Sequence, residues 1–365
     1  MTRFPASSMS SLIDAPVRYD LAESTSPPLR LGEVVDPVSL AGLSLDYGTS
    51  PGDAELRAAI AADAGVLPDQ VLVTVGAAGA MFLLAQDRAP GRVVVVGPCF
   101  PPARTVPKGL GSPVDVVPSR FADGYRLPVG AVAERLTTAT RLVSLASPQN
   151  PAGVRYTDAE LAELLAVVAE RAAPDAVVLV DETYRAATYG PAPVPPSAAA
   201  RSPRVVTCSS LSKAHGAPGL RVGWLTTTDP DLYERLRNAK FLRTIACSGI
   251  DEHLALGVLR QQRAILAPRA AHLARTLAEL TAWVADHPVD LVRPDGGALC
   301  CLRLAPEVDV ADFHVQLAAL DTRVAPGSWF GDEDRVFRLG FGHLPPDDFT
   351  EALARLSKAL TTATS

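Results

Sequence analysis

Five runs in the middle of the chain are apolar almost without a break: "RVVVVGP" (92–98), "RLVSLASP" (141–148), "AVVLVDE" (176–182), "RVVTCSS" (204–210) and "GWLTT" (223–227). Continuous β-branched runs of this length predict strands buried on both faces. Between the runs, apolar residues recur at helical spacing. "TDAELAELLAVVAERAA" (157–173) predicts a helix with Thr157 or Asp158 as its cap, and "PGDAELRAAIAADAG" (51–65) predicts one that stops at Gly65. Strands alternating with helices predict an α/β domain around a mostly parallel central sheet. From about residue 263 the texture changes. A long helical stretch, "APRAAHLARTLAELTAWVADH" (267–287), leads to "DGGALCCLRL" (295–304), a further helix and "DRVFRLGF" (334–341). This predicts a smaller α+β domain. Residues 1–45 are rich in Pro and Ser and have no core of their own, so they are expected to pack on that smaller domain as an arm. The predicted division is 46–262 for the large domain, and 1–45 with 263–365 for the small one. The Pro-rich stretch 189–203 reads as a loop.

Composition changes this picture little. The 365 residues are 48% apolar and 20% charged, which suits a globular chain with a sizeable core. A net charge of −6 argues against nucleic acid as the main partner. Five cysteines, at positions 99, 208, 247, 300 and 301, show no CxxC spacing and read as free thiols in a reducing compartment. No signal-peptide h-region and no membrane-spanning apolar stretch is visible, so a cytoplasmic location away from membranes is expected. There is no GxSxG elbow, Walker A loop, HExxH motif or cluster of metal ligands, and no metal is expected.

Only four lysines stand among thirty-four Lys and Arg residues, at 108, 213, 240 and 358. Lys358 lies in "DDFTEALARLSKAL" (347–360), where helical spacing predicts a solvated position. Lys213, in "SSLSKAHGAPGLRVGW" (209–224), instead follows a predicted strand and enters a Gly-rich turn, which positions a side chain. In an open α/β sheet, ligands bind beyond the C-terminal strand ends. Those ends carry Asp181 with Tyr184 close behind, Asn150 before Pro151 and Gly153, and Ser210 before Lys213. "VTVGAAGAMFLLAQ" (73–86) passes from a strand through small residues into a helix, exposing backbone N–H groups suited to a phosphate. Pyridoxal phosphate chemistry needs such a set: an amine to form an imine, a carboxylate for the ring nitrogen, donors for the ring hydroxyl and a cradle for the phosphate.

With these residues in place the chain resembles the fold-type I pyridoxal-phosphate-dependent enzymes of the class I/II aminotransferase family. The similarity runs from about Tyr47 to Arg338, through "YGTSPGDAELRAAIA", "TVGAAGAM", "GPCFPPA", "SPQNPAG", "VDETY", "SLSKAHGAPGLRVGW", "PDGGALC" and "FRLGFG", in family order. The resemblance implies a pyridoxal-phosphate-binding large domain and a homodimer with shared active sites. It implies that Lys213 forms the internal aldimine, that Asp181 partners the ring nitrogen, and that Asn150 and Tyr184 donate to the ring hydroxyl. Ser210, Arg221 and the backbone of Ala77 and Ala78 would hold the phosphate, Phe100 would stack on the ring, and Tyr47 would reach the phosphate of the neighbouring subunit. Arg338 would bind the substrate carboxylate, with Asn150 beside it. The side chain would be read by the arm around Ser24, Thr25 and Ser26, with Phe100 and Trp329.

The implied reaction is a ping-pong transfer of an amino group between an L-α-amino acid and a 2-oxo acid. Relatives with decarboxylase, lyase, cyclase or oxidase outcomes share the same constellation. Regulatory relatives without catalysis carry a DNA-binding module ahead of this fold, and here only about 45 Pro-rich residues precede Tyr47. The chain departs from the family pattern at Ala78, where many relatives carry a hydroxyl, at Ala152, where Thr is common, and in the arm "ESTSPPLRLGE" (23–33), which is unlike the usual glycine-bearing version. The second arginine of members acting on acidic substrates has no clear counterpart, Arg243 being the one candidate nearby. A neutral, aromatic or basic donor is therefore expected.

Overall fold

The computed structural model of the chain describes residues 4–364. Strand β1 (Tyr19–Asp20) lies in the arm. Seven strands follow: β2 (Val71–Val75), β3 (Arg92–Gly97), β4 (Val114–Pro118), β5 (Thr140–Ala146), β6 (Val177–Asp181), β7 (Val205–Ser210) and β8 (Val222–Thr227). They form one sheet in the order β2-β8-β7-β6-β5-β3-β4. Pairing is parallel from β4 across to β7, while β8 is antiparallel to both of its neighbours. The sheet is mostly parallel, with β8 alone reversed.

Helices cover both faces of this sheet, which is why β6 is buried at every position. One face packs on the helix Asp158–Arg171, the other on the helices Gly76–Arg88 and Pro230–Thr244. Thr157 starts the first of these helices with a capping box: its Oγ1 accepts from the Glu160 N–H at 3.2 Å, and Glu160 Oε2 accepts from the Thr157 N–H at 2.7 Å. The helix predicted over 51–65 runs instead from Ala54 to Ala64, because Asp53 is its cap, accepting from Leu56 N–H at 2.8 Å.

Beyond these lie β9 (Val289–Val292), β10 (Leu299–Leu304), β11 (Thr322–Arg323), β12 (Ala325–Pro326) and β13 (Val336–Gly340). An antiparallel sheet in the order β12-β13-β10-β9 packs on the helices Val310–Ala319 and Pro346–Ala363. The long helix spans Gln262–Ala285, five residues earlier than its predicted start at 267, and carries Pro268 inside it. A Pro in a helix interior costs about 3 kcal/mol, which burial of Ala270, Leu273, Leu277 and Leu280 opposes. The arm joins this region. β1 pairs in parallel with β11, and Tyr19 and Leu21 enter the same core. None of the described helices is long and apolar enough to cross a membrane.

Candidate active site

The cleft opens at the C-terminal ends of the central strands. Asp181 is the last residue of β6, the middle strand of seven, in register with Ala146 on β5 and Cys208 on β7. Pairing on both sides fixes its position, and it shares the lining of one cavity with Phe100 and Asn150. Its Oδ1 accepts from the Thr183 N–H at 3.0 Å and the Thr183 hydroxyl at 2.5 Å. Burial nonetheless raises its pKa, outweighing those donors, Cys208 and the charge of Lys213. A buried carboxylate in this state favours a cationic N–H partner, which a protonated ring nitrogen supplies.

Lys213 stands in the turn after β7. Its Nζ lies 3.2 Å from Ser24 Oγ, 3.4 Å from Glu23 Oε1 and 6.0 Å from the centre of the Tyr184 ring. The arm clamps this turn from outside. Ser26 N–H donates to Lys213 O at 3.0 Å and Leu29 N–H to Gly216 O at 2.8 Å. Tyr184 is buried, and its hydroxyl meets Ser24 Oγ at 2.8 Å. The hydroxyls of Ser24 and Tyr184 therefore form a chain leading to the Lys213 amine.

A second feature is the start of the helix Gly76–Arg88. Its N-cap is Val75, which offers no side-chain acceptor, so the first N–H groups, including those of Ala77 and Ala78, have no cap. Arg221 lies against this end: a Cβ built on Gly76 (φ +67°) would stand 2.5 Å from Arg221 Nη2. A guanidinium beside a positive helix end is unfavourable unless an anion lies between them. Buried Ser210, paired in register with Gly223 where β8 passes the same helix start, adds a hydroxyl. This donor set fits a phosphate monoester.

Arg338 on β13 is 1% exposed. Its Nη1 donates to Asn150 Oδ1 at 2.9 Å and its Nη2 to Ala22 O at 2.5 Å, and its guanidinium lies 4.7 Å over the Phe330 ring. Its Nε is buried without an acceptor. An orphaned N–H on a buried cation is costly, and a carboxylate on that edge of the fork would satisfy it.

The structure thus brings together Lys213, Asp181, Tyr184, Asn150, Phe100, Ser24, Thr25 and Arg338, with Ser210, Arg221, Ala77 and Ala78 at the helix start. Three other positions named from the sequence stand apart from this cluster within one chain. Tyr47 is 81% exposed and lies beside residues 246–250, away from this cluster within one chain. Arg243 stacks on Phe82, 3.9 Å from the ring centre. Trp329 packs with Met9 and Leu12 in a cluster around Phe330, and it is Phe330 that underlies Arg338.

Sequence reasoning passed over Glu23 and His343. Glu23 Oε1 accepts from the N–H groups of Ser24 and Thr25 at 2.7 and 2.9 Å, and His343 Nδ1 lies 3.2 Å from Thr25 Oγ1. Burial raises the Glu23 pKa, but Lys213, the Ser24 N–H, Arg338 and His343 together bring it down to about 2. The available signal was a single acid at the head of the uncharged stretch 24–29, inside an arm already assigned to the pocket.

A family model described as aminotransferase class I and II matches residues 21–356. The chain is 30% identical over 358 residues to capreomycidine synthase of Streptomyces vinaceus, covering 94% of this chain and 90% of that protein. It superposes on a PLP-dependent aminotransferase from Streptococcus suis 89-1591 with a TM-score of 0.89 at 26% identity, covering 99% of both chains. The PLP-dependent cyclase OrfR matches with a TM-score of 0.83 at 28% identity, over 95% of this chain and 94% of that one.

Proposed function

The chain belongs to the aminotransferase class I and II family, and from that premise we propose that it uses pyridoxal phosphate to move an amino group between an L-α-amino acid and a 2-oxo acid. The observation that carries this is the buried Arg338 fork, with its orphaned Nε, in one cleft with the Lys213 amine and the Asp181 carboxylate. Bound there, the cofactor supplies an electron sink for the pair left when a bond at the substrate α-carbon breaks.

The residues divide the remaining work. Lys213 Nζ would be the attachment point for the cofactor, and its amine would carry the α-proton as base and then acid. Asp181 holds a proton on the ring nitrogen. Asn150 and Tyr184 donate to the ring hydroxyl, and Phe100 covers one ring face. Ala77, Ala78, Ser210 and Arg221 hold the phosphate. Arg338 fixes the substrate α-carboxylate, with Asn150 orienting the guanidinium.

Assembly is part of the proposal. Leu45 and Tyr47, 85% and 81% exposed, line one hollow with Ile250, and Phe241 and Leu242 are exposed near the end of the helix Pro230–Thr244. An apolar patch of this kind suits a two-fold contact between copies, with Tyr47 reaching the partner's phosphate. A monomer fully active at assay concentration would contradict it.

A second outcome is favoured by the likeness to capreomycidine synthase and to the cyclase OrfR. The same residues would abstract the α-proton, and the substrate's own side chain would then decide the product. A panel of L-amino acids against the holoenzyme separates the two. Stoichiometric 2-oxo acid with transfer of the amino group supports transamination. A consumed amino acid with no oxo acid overturns it in favour of cyclisation, and oxo acid with free ammonia in place of amino-group transfer overturns it in favour of elimination.

A further inference from the structure

We propose that Glu23 selects a substrate whose side chain ends in a cation, a guanidinium or an ammonium group; this rests on the amino-acid-binding reading of the cleft. The carboxylate is built in place. Two consecutive backbone N–H groups, of Ser24 and Thr25, hold Oε1 at 2.7 and 2.9 Å, so its direction is set by the turn and not by a flexible partner. Oε2 accepts no hydrogen bond from the described residues, and the side chain keeps 22% exposure beside Lys213. One acceptor is left for a ligand.

The charges around it make the case. Glu23 faces Lys213 Nζ at 3.4 Å, with the Arg338 guanidinium and the His343 ring as further neighbours. Each has another duty when substrate is bound. Lys213 is engaged with the cofactor or with the α-proton, Arg338 with the α-carboxylate, and His343 Nδ1 is turned to Thr25 Oγ1 at 3.2 Å. A largely buried carboxylate stripped of its partner is strongly unfavourable. An alkyl side chain would leave it so, and an acidic one would add a like charge. A side-chain cation replaces the partner that Lys213 withdraws. Selection here is a difference between ligands, and Glu23 supplies both the attraction and the repulsion.

The test uses carboxylic acids without an α-amino group, which bind but cannot react. Holoenzyme is titrated by calorimetry with 5-guanidinopentanoate, heptanoate and heptanedioate. The guanidino acid should bind at least about tenfold tighter than heptanoate, with the dicarboxylate weakest. In Glu23→Gln, whose amide oxygen can still accept from the Ser24 and Thr25 N–H groups, the preference should fall below about threefold. Glu23→Asp should recover part of it. Wild-type protein without the preference, or Glu23→Gln with it intact, overturns the assignment, and the wild-type ranking alone decides should the variants not fold. Borohydride labelling separates the two levels of argument. A protein that takes up no cofactor at Lys213 overturns the underlying reading and this proposal with it. One that does, yet ranks the three acids equally, overturns the role of Glu23 alone.

Discussion

The cleft has two walls, and their polar groups are held by different means. On the sheet side, Asp181 closes a strand paired along its length with β5 and β7, and Ser210 closes a strand paired with β6 and β8. On the arm side, Glu23, Ser24 and Thr25 follow a strand of two residues, β1. They are held by scattered contacts rather than a strand ladder, among them Gly340 N–H to Leu21 O at 2.7 Å, Arg338 Nη2 to Ala22 O at 2.5 Å and Ser26 N–H to Lys213 O at 3.0 Å. The sheet wall cannot exchange a residue without disturbing its neighbours in register. The arm wall can. Groups suited to a cofactor lie on the first wall, where the departures from the family pattern are single residues, Ala78 and Ala152; on the second, the arm 23–33 departs as a stretch.

That contrast can be broken at several points. The largest effect should come from Lys213→Ala: turnover should fall by at least about 10³-fold while the chain still folds. Borohydride reduction of the wild type should label Lys213; label on Lys108, Lys240 or Lys358 would move the chemistry elsewhere. Asp181→Ala should lower turnover by about 10²- to 10³-fold with cofactor still taken up, since it removes a group that acts on the ring nitrogen. Near wild-type turnover would reduce Asp181 to a turn acceptor for Thr183.

At Arg338, on β13 against the arm, and in the arm itself the losses should be smaller and should appear in substrate affinity. Arg338→Lys should raise KM for every amino acid by roughly 10- to 100-fold, because an ammonium cannot reproduce the two-pronged contact. A change limited to some donors would argue against α-carboxylate binding. Gly340→Ala probes the arm without altering a polar side chain. A Cβ there would stand 1.8 Å from Glu23 O, so the backbone of the arm must shift. Overpacking of this kind costs about 1–3 kcal/mol. Donor KM should rise severalfold while the absorbance of the bound cofactor is unchanged, and an unaltered KM would detach the arm from the pocket.

The smallest effect is a pH dependence. The Glu23 carboxyl titrates near 2 in the folded chain against an ordinary 4.5. A depressed carboxyl contributes stability above about 4.5 that is lost as pH falls toward 2. In cofactor-free protein the stability gap between wild type and Glu23→Gln should therefore narrow by roughly 1–2 kcal/mol between about pH 7 and pH 3. Denaturant titration at the two values measures it, and an equal gap at both would mean that the carboxylate is not held as an ion.

Elements defined by local chemistry could be located before any fold was known. Continuous Val-rich runs mark β3 and β6 because a strand buried on both faces has no polar side to show. The Thr157–Glu160 pair marks a helix start because each side chain caps the other's backbone. Other features were beyond local reach. A continuous apolar strand reads alike in either direction, so the reversal of β8 has no signature of its own. The start of the long helix was misplaced at 267 because its passage through Pro268 depends on packing that lies outside the helix.

The sequence by itself determined the class of fold and the set of groups available for chemistry: one lysine in a Gly-rich turn, and an Asp, an Asn and a Ser at strand ends. These follow from residue type and from neighbours a few positions away. Tertiary structure alone decided which charges meet. Glu23 lies 190 residues from Lys213, and the Asn150 partner of Arg338 lies 188 residues from it. The meaning of a charged residue depends on its burial and on the charges facing it, and both are set by how distant segments pack. That is why Lys213 could be singled out from its surroundings in the chain, while Glu23 became visible only when the arm was seen closing over it.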